Sequence, residues 1–312
     1  MKSPFPYSND NKRYHTWNYF LRKKFGQKVS KVALNGGFTC PNIDGMRGTG
    51  GCSYCLGGSG EFAGDPAQSI SQQLAAGREK LASKWGETLY MPYFQANTNT
   101  YAPLARLREL YETALAQPGV CALAIATRPD CIADDVLDYL AEIAGRTYLL
   151  VELGLQSIFD ATGERINRCH SYGEFLACYE RLASHGIDIC VHLIMGLPGE
   201  TREMMLESVR AVAKLRPACV KLHLLHILKG TKMAEEYARG EVRCMELEEY
   251  VGLIADALEM LPAQTAVQRL TGDGARDSLV APLWSLKKFV VLNEIDKELQ
   301  RRNTMQGARF EE

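Results

Sequence analysis

Three cysteines in one glycine-rich stretch are the residues of this chain best suited by type and spacing to chemistry. Cys40, Cys52 and Cys55 lie within residues 36–60, GGFTCPNIDGMRGTGGCSYCLGGSG, with the spacing C-x11-C-x2-C. A C-x2-C pair lets two thiolates reach one metal centre from a single turn, and the glycines let the backbone wrap around that centre. The stretch therefore predicts a metal site with three cysteine ligands.

The number of ligands separates the metals that such a loop could hold. A structural zinc site normally completes its tetrahedron with a fourth Cys or His, but the loop contains no fourth Cys and no His, and neither occurs in the sixty residues after Cys55. An iron–sulfur cluster can instead leave one iron open to a small molecule. A zinc-stabilised loop with its fourth ligand from elsewhere, and three unrelated buried cysteines, stand as alternatives.

The loop and five further motifs together resemble a known family. They are KVALNGGFTCPNIDGMRGTGGCSYC, FQANTNTYAP, ATRPDC, VELGLQS, HLIMGLPGET and RLTGDG. The sequence resembles the YhcC/YtqA group of radical S-adenosylmethionine (radical SAM) proteins, near the Elongator-type and coproporphyrinogen-oxidase-type branches of that superfamily. The resemblance runs from about residue 4 to the C-terminus, and it implies one [4Fe-4S] cluster and S-adenosylmethionine (SAM) as cofactors.

Composition is consistent with one large domain, or one domain with an extension, in the cytoplasm. The chain has 312 residues, of which 46% are hydrophobic and 23% charged. No apolar run approaches the ~20 residues that a membrane span needs, and the N-terminal stretch lacks a signal-peptide core. We expect a cytoplasmic protein without a membrane partner, whose other seven cysteines are reduced.

The order of apolar segments predicts an α/β fold. Six strands are predicted at 28–35, 88–98, 121–127, 147–157, 188–198 and 219–228. Helices are predicted at 12–25, 68–85, 103–116, 134–144, 173–184 and 202–215. Nearly continuous apolar strands that alternate with helices favour a covered parallel sheet. The family resemblance refines this fold to a partial (β/α)6 TIM-like barrel.

Three regions are expected along the chain. They are a basic-aromatic N-terminal segment (1–27), a radical SAM core (28–235) and a mostly helical C-terminal extension (236–312). The cysteine loop follows the first strand, and α/β barrels keep their chemistry at the carboxyl ends of strands.

The segment between Asn11 and Ile43 carries an unusual charge. It contains seven basic residues and no acidic one, although the whole chain has a formal net charge of −1. Aromatic residues alternate with these charges, which is one form of a polyanion-binding surface. The alternative is a solvated helix whose aromatic residues pack on the barrel.

The family resemblance also implies roles for residues other than the three cysteine ligands. It implies that Tyr54 touches the adenine of SAM, that Gln156 contacts the ribose and that Arg168 pairs with the carboxylate. An arginine fork suits a carboxylate, although a surface salt bridge is the alternative for Arg168. Asn97 and Thr98 stand where many relatives have a glycine-rich turn that binds the amino group of the methionine part of SAM.

Two departures from the coproporphyrinogen-oxidase-like pattern concern other cofactor contacts. His192 stands where those relatives carry a ribose-binding Asp, and a neutral imidazole still hydrogen-bonds hydroxyl groups. Ala126 replaces an acid on the third strand, so Glu152 becomes a candidate for that contact. A buried carboxylate on a central strand needs a partner, which makes Glu152 a site candidate. His223 and His226 fit either the site or the core.

Three functions are consistent with the sequence. The first is modification of a tRNA wobble uridine, which the resemblance links to conversion of a 5-carboxymethylaminomethyl group to an aminomethyl type. The second is oxidative decarboxylation or dehydrogenation of a small molecule by a radical SAM enzyme. The third is a non-catalytic protein in which the metal is a structural staple. Either enzymatic function requires an electron donor such as flavodoxin or ferredoxin.

Overall fold

The computed structural model describes residues 5–57, 62–272, 274 and 276–311, which fall into two compact units. The Cys-loop unit consists of Leu21–Gly154 and Arg168–Ile189. The terminal unit consists of Met1–Phe20, Leu155–Asn167 and Cys190–Glu312. Residues 58–60 of the cysteine loop and Asp273 of the RLTGDG motif lie outside the described residues.

Every strand predicted from the sequence forms. The strands are β1 Val29–Leu34, β2 Leu89–Phe94, β3 Ala122–Thr127, β4 Tyr148–Gln156, β5 Asp188–Met195, β6 Cys219–Leu224, β7 Ile227–Leu228, β8 Ala266–Arg269 and β9 Leu279–Ala281. The order in the main sheet is β1-β2-β3-β4-β5-β6-β8, and β7 pairs with β9 in a separate antiparallel ribbon.

Parallel pairing accounts for the apolar character of these strands. In the Cys-loop unit, β1 pairs with β2, β2 with β3 and β3 with β4, all in parallel. In the terminal unit, β5 pairs with β6 and β6 with β8, again in parallel. Strands of a parallel sheet are covered on both faces, so both sets of alternate side chains must be apolar. In β3 every residue except Ala126 is buried.

The helices also match the predicted pattern and follow local start signals. They are α1 Trp17–Phe25, α2 Ile70–Trp85, α3 Leu104–Leu115, α4 Asp134–Ala144, α5 Asp160–Arg165, α6 Tyr172–Ser184, α7 Arg202–Lys214, α8 Lys232–Ala238, α9 Leu247–Met260 and α10 Lys288–Arg301. Ser69 and Ser171 start α2 and α6 with capping boxes, in which each serine accepts the N3 backbone N–H. Such caps satisfy N–H groups that a helix leaves unpaired.

Contacts between distant segments change two boundaries. Helix α1 begins at Trp17 instead of residue 12, because the preceding residues run beside β8 and the C-terminal tail. The amide of His15 donates to the Gln306 side chain at 2.9 Å, and the carbonyl of His15 accepts from Val267 at 2.7 Å. The mostly helical C-terminal extension contains α9 and α10 but also contributes β8 to the sheet.

None of the helices in the described part of the chain is long and apolar enough to cross a membrane.

The Tyr250 hydroxyl links α9 to the backbone of other segments of the terminal unit. Tyr250 is fully buried, and its hydroxyl donates to the Leu270 carbonyl at 2.7 Å and lies 3.3 Å from the Leu222 carbonyl. Replacing Tyr250 with Phe is expected to lower the free energy of unfolding by about 1–2 kcal/mol, because buried carbonyls lose a donor. Urea unfolding measures the change. The same substitution at the half-buried Tyr237 is the control, and an equal loss in both variants would contradict the assignment.

Candidate cluster and cofactor site

The cysteine loop follows β1 and is held in shape by its own backbone. The amides of Ile43 and Asp44 donate to the Cys40 carbonyl at 2.8 and 3.2 Å, and Gly51 donates to the Asn42 carbonyl at 2.8 Å. The C-x2-C turn closes where the Cys55 amide donates to the Cys52 carbonyl at 2.9 Å. These bonds bring the distant first cysteine into the same loop as the C-x2-C pair.

The three thiols are partly exposed and close enough to affect one another. Burial raises the pKa of Cys52 to about 11, and the neighbouring Cys55 and Cys40 sulfurs add to that rise. The positive charge of Arg128 and a 3.6 Å contact from the Asn42 amide act in the opposite direction. Cys52 is therefore protonated at neutral pH unless a metal supplies positive charge, as metal ions do for coordinating thiols.

Tyr54 lies against the thiols. Its side chain is half-buried as a whole, but its hydroxyl end is enclosed, and this burial raises the pKa of Tyr54 well above its usual range. The Cys52 and Cys55 sulfurs raise it further, partly through a hydrogen bond with Cys52, while Arg168 opposes the shift. The residue predicted to touch the adenine thus lies near both the predicted metal ligands and the predicted carboxylate-binding arginine.

Asn97 and Thr98 connect the end of β2 to the residues just before Cys40. The Asn97 side-chain amide donates to the Phe38 carbonyl at 2.8 Å, and the Thr98 backbone amide donates to the Thr39 carbonyl at 3.2 Å. Asn97 has φ 62°, a left-handed conformation that Asn tolerates better than most residues. The Asn97 side chain and the Thr98 backbone therefore lie beside the loop, and their contact with the cofactor stays a prediction.

Glu152 has the partner that a buried carboxylate requires. Its side chain is fully buried on β4 and forms an ion pair with Lys31 of β1, whose ammonium also lies 3.9 Å from the Tyr93 ring centroid. Lys31 belongs to the basic segment noted in the sequence, so one of the seven charges there has an internal role. Glu152 remains a candidate for a cofactor contact, and its ion pair with Lys31 fixes the position of its carboxyl group.

Arg168 is buried, which excludes a surface salt bridge as its role. It is 1% exposed, and its Nε donates to the His170 carbonyl at 2.9 Å. The flanking residues Asn167 and Cys169 both have left-handed backbone conformations, with φ 53° and 59°. Strained conformations of this kind persist only where surrounding contacts enforce them, and they cluster at functional sites.

Gln156 and His192 belong to the terminal unit, whereas the other predicted site residues belong to the Cys-loop unit. Gln156 ends β4 with φ 70°, and the following Ser157 hydroxyl is hydrogen-bonded to Glu200. The His192 ring on β5 lies 5.3 Å, centroid to centroid, from the His223 ring on β6. Within the terminal unit, these two histidines thus lie on the same face of neighbouring strands.

The ATRPDC motif contains two charged residues to which the sequence analysis assigned no role. Arg128 and Asp130 follow β3 directly and form a buried ion pair with Nη2 to Oδ2 at 2.8 Å. Arg47 of the cysteine loop also approaches Asp130, at 3.5 Å. Two opposite charges that lie two residues apart, directly after a core strand, could have indicated this ion pair from the sequence.

The donor set fits a cluster with three cysteine ligands and a bound cofactor. Three buried polar atoms in the Cys-loop unit, Ser53 Oγ, Asn99 Oδ1 and His170 Nδ1, have no hydrogen-bond partner among the described residues. Ser53 lies between Cys52 and Tyr54, and Asn99 follows Thr98. Because buried polar groups are nearly always paired, such atoms indicate places where a ligand or ordered water completes the structure.

Comparisons with known proteins agree with this fold. The model for the radical SAM superfamily matches residues 45–212, and the model for the radical SAM C-terminal domain matches residues 217–301. The protein YtqA of Bacillus subtilis is 48% identical over 312 residues, covering 100% of this chain and 97% of YtqA. A tRNA uridine(34) acetyltransferase of Methanocaldococcus jannaschii is 24% identical over 305 residues, covering 81% of this chain and 53% of that protein.

Among solved structures, the archaeal Elp3 of Methanocaldococcus infernus with an N-terminal deletion has a TM-score of 0.70 at 19% identity. The match covers 89% of this chain and 64% of the Elp3 chain, and it confirms the predicted α/β fold. The chain belongs to the radical SAM superfamily, in the family that contains YtqA. Membership supports the prediction of an enzyme and implies a [4Fe-4S] cluster, SAM and an electron donor.

Gly48 lies at a tightly packed point of the cysteine loop. A Cβ at this position would overlap the Asn42 side chain and would lie 2.8 Å from the Cys169 sulfur. Gly48→Ala is therefore expected to lower the free energy of unfolding by about 1–3 kcal/mol and to reduce the iron bound on anaerobic reconstitution. Gly173→Ala is the control, because its Cβ would meet only Ser171 Oγ at 3.8 Å. Equal iron content in both variants would contradict a tightly packed loop.

Proposed function

We propose that Cys40, Cys52 and Cys55 hold one [4Fe-4S] cluster and that SAM binds at the iron without a cysteine ligand. When bound, the reduced cluster supplies the electron that splits SAM into methionine and a 5′-deoxyadenosyl radical. The observation that carries the proposal is the gathering of three cysteine thiols in one loop, within a chain that belongs to the radical SAM superfamily.

The remaining side chains of the site serve to bind and orient SAM. Arg168 offers a planar fork to the carboxylate of the methionyl group, and its buried position strengthens that pairing. Asn97 and Thr98 lie where the methionyl amino group is held in relatives, and Tyr54 offers a ring to the adenine. Glu152 provides a further polar group in the Cys-loop unit, and the ribose contacts of Gln156 and His192, which belong to the terminal unit, stay predictions. The protein's task is thus orientation and exclusion of water.

We propose a tRNA wobble uridine as the substrate, with conversion of a 5-carboxymethylaminomethyl group to an aminomethyl type. The tRNA uridine(34) acetyltransferase relative acts, by its name, on the same class of nucleoside and shares 24% identity with this chain. Recognition of single-stranded RNA relies on bases that are splayed out and stacked on aromatic side chains. An exposed basic surface with an accessible ring would suit such a substrate.

The N-terminal basic segment provides that surface only in part. Most of its aromatic residues pack internally: the Trp17 and Phe20 rings stack at 5.0 Å, and the Phe25 ring lies 5.9 Å from the Tyr148 ring. The last turn of α1 nevertheless exposes three basic residues, Arg22, Lys23 and Lys24.

Trp85 adds an accessible ring to this region of the Cys-loop unit. It is 52% exposed, and the Lys28 ammonium lies 3.2 Å from its ring centroid. A solvent-accessible ring with a cation over one face resembles the platforms that stack bases in single-stranded nucleic acid binding. The charge of α1, together with Trp85, therefore supports RNA binding, whereas the other aromatic residues support packing.

The proposal is tested with anaerobically reconstituted and reduced protein. SAM is added with and without bulk undermodified tRNA, and 5′-deoxyadenosine is measured. We expect production in the wild type that tRNA stimulates, and none in Cys52→Ala, because the cluster loses a ligand. Cys244→Ala, a half-buried cysteine far along the chain from the loop, is the control. Production indifferent to tRNA would indicate a small-molecule substrate, and iron retention with full activity in Cys52→Ala would refute the ligand assignment.

The basic end of α1 is tested separately by its salt dependence. Replacing Arg22, Lys23 and Lys24 together with Gln is expected to weaken tRNA binding. The slope of log affinity against log salt should fall by about one for each phosphate that the variant no longer neutralises. Basal SAM cleavage without tRNA should be unchanged. The exposed pair Arg239 and Arg243, changed to Gln, provides the control. Unchanged tRNA binding in the triple variant would exclude this surface.

A further inference from the structure

The buried ion pair after β3 uses the whole edge of one guanidinium group. Arg128 Nε and Nη2 donate to Oδ1 and Oδ2 of Asp130 at 2.9 and 2.8 Å, which is a bidentate pair. Arg128 is 9% exposed and the Asp130 side chain is fully buried. Burial by itself would raise the pKa of Asp130, but the Arg128 charge and hydrogen bonds lower it overall. The carboxylate is therefore ionised and fixes the orientation of the guanidinium plane.

The remaining N–H groups of the same guanidinium hold the backbone around Arg168. Arg128 Nη1 donates to the Arg168 carbonyl at 2.8 Å, and Nη2 also reaches the Cys169 carbonyl at 3.2 Å. Cys169 and the residue before Arg168 both have positive φ values, so the chain around Arg168 is bent in a way that local preference does not favour. Two donors on consecutive carbonyls supply the external constraint that such a conformation requires.

The cysteine loop contacts this pair as well. Arg47 Nε lies 3.5 Å from Asp130 Oδ2, and Arg47 Nη2 lies 3.0 Å from Glu174 Oε1. Glu174 also closes the capping box of α6, where it accepts from the Ser171 amide at 2.7 Å. Asp130 thus lies between an arginine of the predicted cluster loop and an arginine that holds the backbone of Arg168. All of these residues belong to the Cys-loop unit.

We infer that Arg128, fixed by Asp130, is a positioning residue that sets the backbone of Arg168 and thereby aligns its guanidinium group with the carboxylate of SAM. This inference rests on the proposed function, in which Arg168 binds that carboxylate. A lysine cannot replace Arg128, because one ammonium nitrogen cannot span both carboxylate oxygens and two carbonyls at once. Asn at position 130 keeps the size of Asp but removes its charge and one acceptor.

The test compares Arg128→Lys and Asp130→Asn with wild type and with Arg243→Lys. Arg243 makes a similar bidentate pair with Glu249, at 3.0 and 2.8 Å, but on the exposed surface of the terminal unit. In reconstituted protein, we expect the KM for SAM to rise about ten- to hundredfold in both site variants, because misplaced binding groups lose that much. Iron per chain should stay at the wild-type level, and kcat should change much less than KM.

A second readout does not depend on activity. Hydrogen exchange followed by mass spectrometry, on protein without added cofactors, should show faster exchange of the peptide covering 167–171 in Arg128→Lys and Asp130→Asn, and no change there in Arg243→Lys. Site variants with wild-type KM for SAM and wild-type exchange would overturn the inference. Loss of iron in both variants would also overturn it, because the pair would then serve the cluster loop. Absence of SAM cleavage in the wild type would instead refute the proposed function. The hydrogen-exchange result would still show whether Arg128 and Asp130 hold the backbone around Arg168.

Discussion

Three thiols brought together in one loop repel one another once they ionise, and this repulsion is the constraint on which the candidate site depends. Burial is the largest cause of the high pKa of Cys52, and the neighbouring Cys55 and Cys40 sulfurs raise it further. A metal centre relieves the repulsion by supplying positive charge at the sulfurs. The loop is therefore suited to hold a metal, and its glycines and internal hydrogen bonds set the distances between the ligands.

Buried charge around the loop is arranged in pairs. Glu152 faces Lys31, and Asp130 faces Arg128 with Arg47 beside it. Isolated buried charges are strongly disfavoured, whereas paired and hydrogen-bonded ones are tolerated and fix side-chain geometry. The pairs leave the site with oriented polar groups before any cofactor arrives, which reduces the reorganisation needed when SAM binds. Arg168 then becomes the end point of a chain of contacts that begins at the cysteine loop.

Much of this architecture follows from local sequence. Continuous apolar runs located β1 to β6 within a few residues, and α4 was predicted with its observed ends. Eight of the residues predicted as ligands or binding groups lie in the Cys-loop unit, and their roles stay predictions. Short strand β8 escaped prediction because Ala266–Arg269 has too few residues to show periodicity. Its position depends on pairing with β6 and on residues near the N-terminus.

Contacts between distant residues explain the remaining differences. Sequence reasoning stated that Glu152 needs a partner but could not select Lys31, which is 121 residues away. The charges of the basic segment divide in the structure: Lys31 pairs internally, Lys12 pairs with Asp296, and the end of α1 is exposed. Periodicity reports which face of a helix is apolar, but it does not report which charges meet across the fold.

The most direct test of the central claim is electron paramagnetic resonance of the anaerobically reconstituted and reduced protein, recorded before and after addition of SAM. The account predicts about four iron atoms per chain, a reduced-cluster signal, and a change in that signal when SAM binds at the open iron. A protein that binds zinc in place of iron, or a cluster signal that SAM leaves unchanged, would contradict it.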